Sequence, residues 1–448
     1  MAERKIVKIT GDVPGPKGRQ LYSEMEQNVP RGPAHMTPIA IASSKGATIT
    51  DVDGNTYIDF ASGIGTLNLG HCPDEIVKAI KEQADKYLHT CFHVTLYEPY
   101  IRLANKLNTM TPGQFPKKTL FLCSGAEAVE NAIKIAKYYT NRYGILSFLE
   151  GFHGRTAAAM SLTGQIQPYK YNFGPPIPWI YHLPFPYCYR CPFSQTYPGC
   201  ELACLKYVER VFESIIPPDA VAAVIVEPVQ GEGGFIVPPK EFLPGLYEIC
   251  KAKGIVFIDD EIQTGMARTG KLFATEHFGI EPDLLTTAKS VGGGMVLSAV
   301  TGKAEIMDAP HPGGLGGTFG GHPLSCQAGL VAFELIEKNN LIDRANAIGN
   351  KVKQAFSTMQ EKYPIIGDVR GLGAMVAIEL VKDRKTKEPA KQEAALIREK
   401  CYKNGLIAIG AGIHHNVIRT LIPLVITDEE LEEGLSILDE ALSSITTH

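Results

Sequence analysis

The sequence lacks the long apolar runs and the charge clusters that mark proteins of membranes and nucleic acids. No apolar run in its 448 residues approaches the roughly 20 residues that a helix needs to cross a bilayer. A net charge of -4, without a Lys/Arg cluster, indicates neither a nucleic-acid partner nor an acidic membrane surface. The first ten residues contain no apolar segment of a secretory signal. These absences predict a soluble, cytoplasmic protein.

Two common phosphate-binding motifs are also absent. The sequence has no G-x-x-x-x-G-K-[ST], and no G-x-G-x-x-G follows a predicted strand. Gly125 and Ala126 lie instead between an apolar strand at residues 119–122 and a helix that is predicted to begin near Glu127. Free N–H groups and the helix dipole bind anions at such a place. We expect a small phosphate there, and an ordinary strand-to-helix turn is the alternative.

Four of the ten cysteines are clustered, in the pattern C-x2-C-x8-C-x3-C. Two thiolate pairs at this spacing could form a structural zinc or iron–sulfur site. Two disulfides or merely packed thiols are the alternatives, and a reducing cytosol disfavours disulfides. The candidate ligands are Cys188, Cys191, Cys200 and Cys204.

The chain is predicted to form a large domain at residues 70–325 and a smaller domain from residues 1–69 and 326–448. Continuous apolar runs at 222–226 and 255–258 predict strands buried on both faces, and therefore a mostly parallel sheet covered by helices. The first 35 residues are rich in glycine and proline and are predicted to form an arm. Asp53-Gly54 is predicted to turn a hairpin.

Two residues about thirty positions apart predict the cofactor. The apolar run at 255–258 ends in Asp259 and Asp260, and Lys289 is flanked by small residues. A pyridoxal-phosphate enzyme needs an acid that keeps a pyridine nitrogen protonated and a lysine that carries the aldehyde as a Schiff base. Taken alone Lys289 would be an ordinary surface lysine, but the neighbouring patterns favour catalysis.

Other patterns point to the same region, although each has a simpler interpretation. An aromatic residue and an arginine, Phe152 and Arg155, could stack on a cofactor ring and bind a carboxylate. Two acids past one strand, Glu227 and Glu232, would also suit general acid–base work on a sugar. Thr318, in a glycine-dense loop, could bind a phosphate oxygen.

With these motifs in order, the chain resembles the class III (ω-amino acid) pyridoxal-phosphate aminotransferases, and among them the 4-aminobutyrate aminotransferases. The resemblance runs from about residue 27 to 440. Its motifs are specific in combination and occupy residues 124–131, 152–155, 227–234, 260–263, 288–290, 316–318 and 416–419.

The resemblance implies an α/β aspartate-aminotransferase-like fold (fold type I), with a mostly parallel central sheet in the large domain and a smaller α+β domain. It also implies a homodimer or a dimer of dimers with shared active sites. The substrates would be an amino donor and a 2-oxo acid.

The resemblance also implies a role for each candidate residue. Lys289 would hold the cofactor and shuttle the proton, and Asp260 would pair with the pyridine nitrogen. Glu232 and Arg419 would form a switch between the two substrates. The remaining candidates would contact the cofactor (Gly125, Ala126, Phe152, Glu227, Gln263 and the partner subunit's Thr318) or the substrate carboxylate (Ile64 and Arg155).

The implied reaction moves the amino group of 4-aminobutyrate to 2-oxoglutarate, giving succinic semialdehyde and glutamate. A related donor such as 5-aminovalerate, and an amino-acid racemase or epimerase, are the alternatives. A binding protein without catalytic activity is a further alternative, which the presence of both Lys289 and Asp260 disfavours.

Overall fold

The computed structural model describes residues 4–446, and the chain divides into two compact units. The central unit is Asp74–Ile342. The terminal unit consists of the chain up to Pro73 together with the chain from Asp343 onward. Within residues 4–446, no helix is both long and apolar enough to span a membrane.

Helices and strands alternate along most of the chain. The helices are α1 (Pro16–Asn28), α2 (Ser62–Gly65), α3 (Asp74–Ala84), α4 (Glu98–Met110), α5 (Gly125–Thr140), α6 (Ala157–Leu162), α7 (Ala203–Ser214), α8 (Phe242–Ala252), α9 (Ala304–Met307), α10 (Pro323–Lys338), α11 (Leu341–Lys362), α12 (Lys391–Lys403) and α13 (Asp428–Thr446). The strands are β1 (Ile41–Lys45), β2 (Thr48–Asp51), β3 (Thr56–Asp59), β4 (Lys117–Leu122), β5 (Gly144–Phe148), β6 (Ile180–Leu183), β7 (Val221–Val226), β8 (Val256–Asp260), β9 (Leu284–Thr287), β10 (Ser298–Lys303), β11 (Ile366–Leu372), β12 (Met375–Leu380), β13 (Leu406–Ile407), β14 (Ile409–Ala411) and β15 (Val417–Leu421).

The central unit contains a seven-stranded sheet in the order β4-β10-β9-β8-β7-β5-β6. Neighbouring strands from β6 to β9 run parallel, whereas β10 is antiparallel to both β9 and β4. The mostly parallel sheet that the sequence predicts is therefore confirmed.

Helices cover both faces of this sheet because its central strands are apolar on both sides. In β7, Ile225 points into a core shared with α5 and α6. The adjacent residue Val224, on the other face, belongs to a core shared with α7 and α8. Strands buried on both faces need this two-sided cover.

Three candidate residues lie beyond the carboxyl ends of adjacent parallel strands. Asp260 ends β8, Glu227 follows β7, and Lys289 follows β9 after one residue. Ligands of open α/β sheets bind at this edge, so the topology gathers the acid and the lysine that the sequence places about thirty residues apart.

The terminal unit contains two four-stranded sheets, with the orders β1-β2-β3-β13 and β11-β12-β15-β14. The predicted hairpin forms between β2 and β3, which are antiparallel, and Gly54 takes a positive φ of 89° in its turn. The predicted N-terminal arm contains α1, which the sequence interpretation did not foresee. The strand β11 and the helix α11 were not foreseen either.

Candidate active site

Asp260 is held at the sheet edge by three hydrogen bonds. Its side chain is 2% exposed. Oδ2 lies 2.7 Å from His153 Nδ1, and Oδ1 accepts from the Thr286 hydroxyl at 3.0 Å and from the Ile262 backbone N–H at 3.2 Å. Because both oxygens are fixed by neighbouring elements, the carboxylate has one orientation.

His153 is a fully buried partner of two carboxyl groups. Burial alone would lower its pKa, but the hydrogen bond to Asp260 and the charges of Asp260 and Glu227 outweigh burial and raise the pKa of His153 above its usual value. The raised pKa favours the imidazolium, which can donate its Nδ1–H to Asp260.

Glu227 ties two loops together from the end of β7. Oε1 accepts the Phe152 backbone N–H at 2.8 Å, and Oε2 accepts the Gly231 backbone N–H at 2.9 Å. Burial raises the pKa of Glu227 to about 7; the nearby Asp260 charge acts in the same direction and His153 opposes it. A carboxyl that is occupied by backbone N–H groups positions loops, and nothing in this arrangement resembles an acid pair around a sugar bond.

The start of α5 offers the expected anion cradle. Ser124 caps the helix by accepting the Glu127 N–H, and the Glu127 carboxylate accepts the N–H groups of Cys123 and Ser124. Within residues 4–446 the N–H groups of Gly125 and Ala126 have no protein acceptor. Two free N–H groups at a helix start are suited to a phosphate.

Lys289 begins a short 3-10 turn, Lys289–Gly292, directly after Ala288. Its φ of 51° lies in the left-handed region, which is uncommon for a residue other than glycine. Such strain costs of order 1–3 kcal/mol and is concentrated at functional sites. Since β9 pairs with β8 at Thr286 and Asp260, the turn that carries Lys289 follows the strand beside the acid.

Arg155 lies over two aromatic rings. Its guanidinium carbon is 5.9 Å from the centre of the Phe152 ring and 5.3 Å from that of Tyr169, and the two rings are 4.8 Å apart. The side chain is exposed and makes no hydrogen bond or ion pair with any residue of the described range. The guanidinium is therefore available to an anionic ligand.

The turn after β7 brings Glu232 next to Gln263. Gln263 Nε2 lies 3.4 Å from Glu232 Oε1. A Cβ atom at Gly231 would overlap the end of the Gln263 side chain, so a larger residue at position 231 would force that side chain to move. Both side chains thus belong to the region around Glu227.

The remaining candidates come from other parts of the chain. Thr318 is exposed in the glycine-dense loop of the central unit. Ile64 and Arg419 belong to the terminal unit. Ile64 has a φ of 61°, and Arg419 is fully buried in β15.

The four clustered cysteines surround one small cavity near the start of α7. All four thiols are free, so the disulfide alternative is not realised in this structure. Within residues 4–446, no three His, Cys, Asp or Glu side chains are already arranged as a ligand set for a metal ion.

Two aromatic or basic residues of the site have contacts that the sequence analysis did not assign. His153 lies in the motif at residues 152–155 but has no role assigned by the sequence, and no motif includes Tyr169. The partner of His153 is 107 residues away, so no local pattern marks that contact. The spacing of the motif around Phe152 gives no signal for Tyr169.

Comparisons with known proteins all indicate the same family. The model of the class III aminotransferases matches residues 29–442. A Bacillus subtilis protein described as a probable 4-aminobutyrate aminotransferase is 47% identical over 94% of this chain and 97% of its own. A 5-aminovalerate aminotransferase of Pseudomonas aeruginosa is 44% identical over 95% of this chain and 98% of its own.

A solved structure agrees with these matches. An aminotransferase of Bacillus anthracis superposes with a TM-score of 0.88 and 31% identity, over 96% of this chain and 99% of its own. The predicted fold class is therefore confirmed. This chain belongs to the class III aminotransferase family, whose members depend on pyridoxal phosphate.

Proposed function

We propose that the chain transfers the amino group of a linear ω-amino acid, 4-aminobutyrate or 5-aminovalerate, to 2-oxoglutarate. The observation that carries the proposal is the unpaired Arg155 guanidinium over Phe152 and Tyr169. An ω-amino acid has a carboxylate remote from its amine, and an arginine without a protein partner is suited to bind it.

The residues of the central unit fit pyridoxal phosphate. The free N–H groups of Gly125 and Ala126 would hold the phosphate, and Phe152 would stack on the ring. Gln263 would contact the ring hydroxyl, and Glu227 would support the site by fixing the Phe152 loop. The bound cofactor supplies a place for the electron pair left when the amine-bearing carbon loses a proton.

Asp260 would keep a proton on the pyridine nitrogen. Its carboxylate is oriented by the imidazole of His153 at 2.7 Å and by the Thr286 hydroxyl. Because the carboxylate is buried, its attraction for a ring cation is stronger than in water. Asp260 and His153 together would thus maintain the cationic ring.

Lys289 would hold the cofactor at rest and move a proton during turnover. Its Nζ would take the proton from the amine-bearing carbon and return it at the other end of the transfer. The short, strained turn at its backbone would limit the positions that Nζ can reach. This restriction would keep Nζ in the orientation needed for proton transfer.

The choice of donor rests on the relatives' names and on the carboxylate candidates. Relatives at 42–47% identity are named for 4-aminobutyrate, and two at 44% for 5-aminovalerate. We propose that Arg155 and Ile64 flank the distal carboxylate. Arg419, and the control of its charge by Glu232, would serve the α-carboxylate of glutamate and 2-oxoglutarate.

We also propose that the active form is a homodimer or a dimer of dimers, because exposed apolar residues lie in the loop of Thr318 and on a segment that contacts this loop. Val94 and Leu96 are 78% and 75% exposed, and Phe319 is 57% exposed. The segment that holds Val94 touches the loop of Thr318, since the His89 and Phe319 rings stack at 4.6 Å. A second copy that covers this patch would receive Thr318 at its own site.

The test compares donors with and without a carboxylate. Wild-type protein should convert 4-aminobutyrate and 2-oxoglutarate to succinic semialdehyde and glutamate. Arg155→Met should lower kcat/KM for 4-aminobutyrate and 5-aminovalerate by about 10- to 100-fold, since a charged hydrogen-bonded pair contributes about 1.5–3 kcal/mol. The variant should change kcat/KM for n-butylamine much less.

The matched control is Arg210→Met, which removes an exposed arginine from α7. This variant should leave kcat/KM unchanged for every donor. An equal loss for butylamine would disprove the carboxylate role of Arg155. Inversion of a chiral amino acid without any 2-oxo acid would instead support the racemase alternative.

A further inference from the structure

The cavity among the four clustered cysteines is unlike the active site in its chemistry. It has a volume of about 20 Å³, and all four cysteines line it. Its other walls include Phe193, Leu202 and Pro239. A cavity needs roughly 10–15 Å³ to hold one water molecule, so this one has room for a single small particle.

The lining disfavours water as the occupant. A buried water molecule typically makes about three hydrogen bonds, and this cavity offers it apolar walls and thiols, which are weak partners. A soft cation has the opposite preference, because thiolates are the ligands that such ions select. The chemistry of the walls therefore favours a thiophilic ion over solvent.

The backbone brings the cysteines together in two pairs. Cys188 begins the 3-10 turn Cys188–Arg190, and Cys191 follows it directly. Side chains three residues apart are eclipsed in a 3-10 turn, so the first two thiols lie on one side of it. Cys204 is in the first turn of α7, and the Ala203 N–H donates to the Cys200 carbonyl oxygen at 3.1 Å.

The four thiols are free but do not yet form a closed ligand set. Binding would require the side chains to close around the ion. Cys188 is exposed and Cys191 is half-buried, so rotation of these two side chains is not blocked by close packing. The more deeply buried Cys204 would provide the fixed side of the site.

We propose that Cys188, Cys191, Cys200 and Cys204 bind one zinc ion in a structural site. Four sulfur ligands fill the tetrahedral shell of zinc and leave no position for a substrate. Each thiol gives up its proton as it binds.

The site would fix the loop at residues 188–204 to the core of the central unit. Cys204 and Tyr187 belong to the apolar core on the α7 side of the sheet, against which Tyr189 and Phe193 pack. Between α7 and β6 the loop has little regular structure apart from the turn at Cys188. An ion that joins its two ends would bind the folded loop in preference to the unfolded chain, and would therefore stabilise the fold.

The first experiment measures metal in protein purified without chelator. We expect about one zinc ion per chain, which the double variant C188S/C191S should lose. Cys72→Ser is the matched control, because Cys72 is an exposed cysteine outside the loop, and it should keep the zinc. Zinc content does not depend on transaminase activity. The zinc proposal and the proposed function can therefore each fail without the other.

The second experiment uses wild-type protein and guards against misfolding of the double variant. Zinc removed by a chelator should lower the melting temperature, and cobalt added in its place should give thiolate-to-cobalt absorption bands. Protein that stays free of zinc after growth and incubation with zinc would overturn the proposal. So would iron at the site with visible absorption, or a pair of disulfides in the purified protein.

Discussion

Asp259 is a buried carboxyl group at the residue next to Asp260. It is 1% exposed, and neither oxygen has a hydrogen-bond partner in the described part of the chain. Burial, reinforced by the charges of Glu261 and Asp260, raises the pKa of Asp259 well above its usual value. An isolated buried polar group of this kind costs about 1–3 kcal/mol.

Asp259→Ala should therefore stabilise the protein, and more so as the pH rises. A carboxyl whose pKa is raised on folding makes its full contribution to stability below its unfolded pKa of about 3.9. That stability is lost as the pH rises through the folded pKa. Melting temperatures at pH 5 and pH 8 should show the larger gain for the variant at pH 8.

Asp85→Ala provides the control, since Asp85 is an exposed aspartate at the end of α3. Its melting temperature should follow that of the wild type at both values of pH. If Asp259→Ala melted lower than wild type at pH 8, the carboxyl of Asp259 would be stabilising rather than costly.

At the scale of residues, the sequence predicts a functional side chain at the end of a strand better than it predicts a contact between two side chains of a loop. Asp260 could be predicted because a buried strand must end there and ligands collect at strand ends. The cation–π contact of Arg155 with Tyr169 could not, because the path of the loop between them depends on packing rather than on a local pattern.

At the scale of elements, one glycine fixes the loop of Phe152 against the start of α5. Gly154 has a φ of 131°, and a Cβ atom added to it would lie 2.7 Å from the Ala126 Cβ atom. Any side chain would therefore push the loop away from the two N–H groups that we assign to the phosphate.

Gly154→Ala should weaken cofactor binding by separating the loop from α5. The loop also carries His153, so the separation would disturb the hydrogen bond to Asp260. We expect at least a tenfold rise in the Kd of pyridoxal phosphate, which corresponds to about 1.4 kcal/mol. Titration of cofactor-free protein, followed by absorbance, measures this constant.

Gly174→Ala separates the two causes of damage. Gly174 also has a positive φ, of 93°, but nothing lies within 4 Å of its added Cβ atom. The control therefore shares the backbone strain and lacks the collision. Equal cofactor affinities in the two variants would show that contact between the loop and α5 is unimportant.

The elements that the sequence did not reveal depend on distant partners. Helix α1 begins where the Lys17 and Gly18 N–H groups donate to Asp53 at 2.9 and 2.8 Å. Its cap thus comes from the hairpin turn rather than from the residue before it. Because the sequence does not reveal that Asp53 caps this helix, the glycine and proline content of the segment predicts an irregular arm instead.

Helix α11 was obscured by a glycine in its middle. Gly349 lowers helix propensity by about 1 kcal/mol relative to alanine, but here it allows close packing. A Cβ atom at this position would overlap the Gly373 carbonyl group, at the turn between β11 and β12. Glycine is required at position 349 by tertiary packing. Helix propensity counts only local effects, so it wrongly predicts that this glycine disfavours the helix.

At the scale of the whole molecule, the proposed dimer would bury an apolar patch that is costly to expose. Val94, Leu96 and Phe319 are more than half exposed, and they lie on two segments that touch each other. Exposed apolar side chains that form a continuous patch commonly mark an interface between proteins. Because Thr318 lies beside Phe319, activity and association should be lost together.

The double variant V94E/L96E should be largely monomeric and poorly active. Two carboxylates placed in a dry interface would cost about 3 kcal/mol or more, which raises the dimer Kd at least 100-fold. Sedimentation velocity at several concentrations measures the mass, and activity should recover as the concentration rises.

The control is Ile215→Glu, at an apolar residue that is 51% exposed elsewhere in the central unit, and this variant should remain dimeric. A fully active monomer of the double variant would exclude a shared site, and Thr318 would then have to act within its own chain.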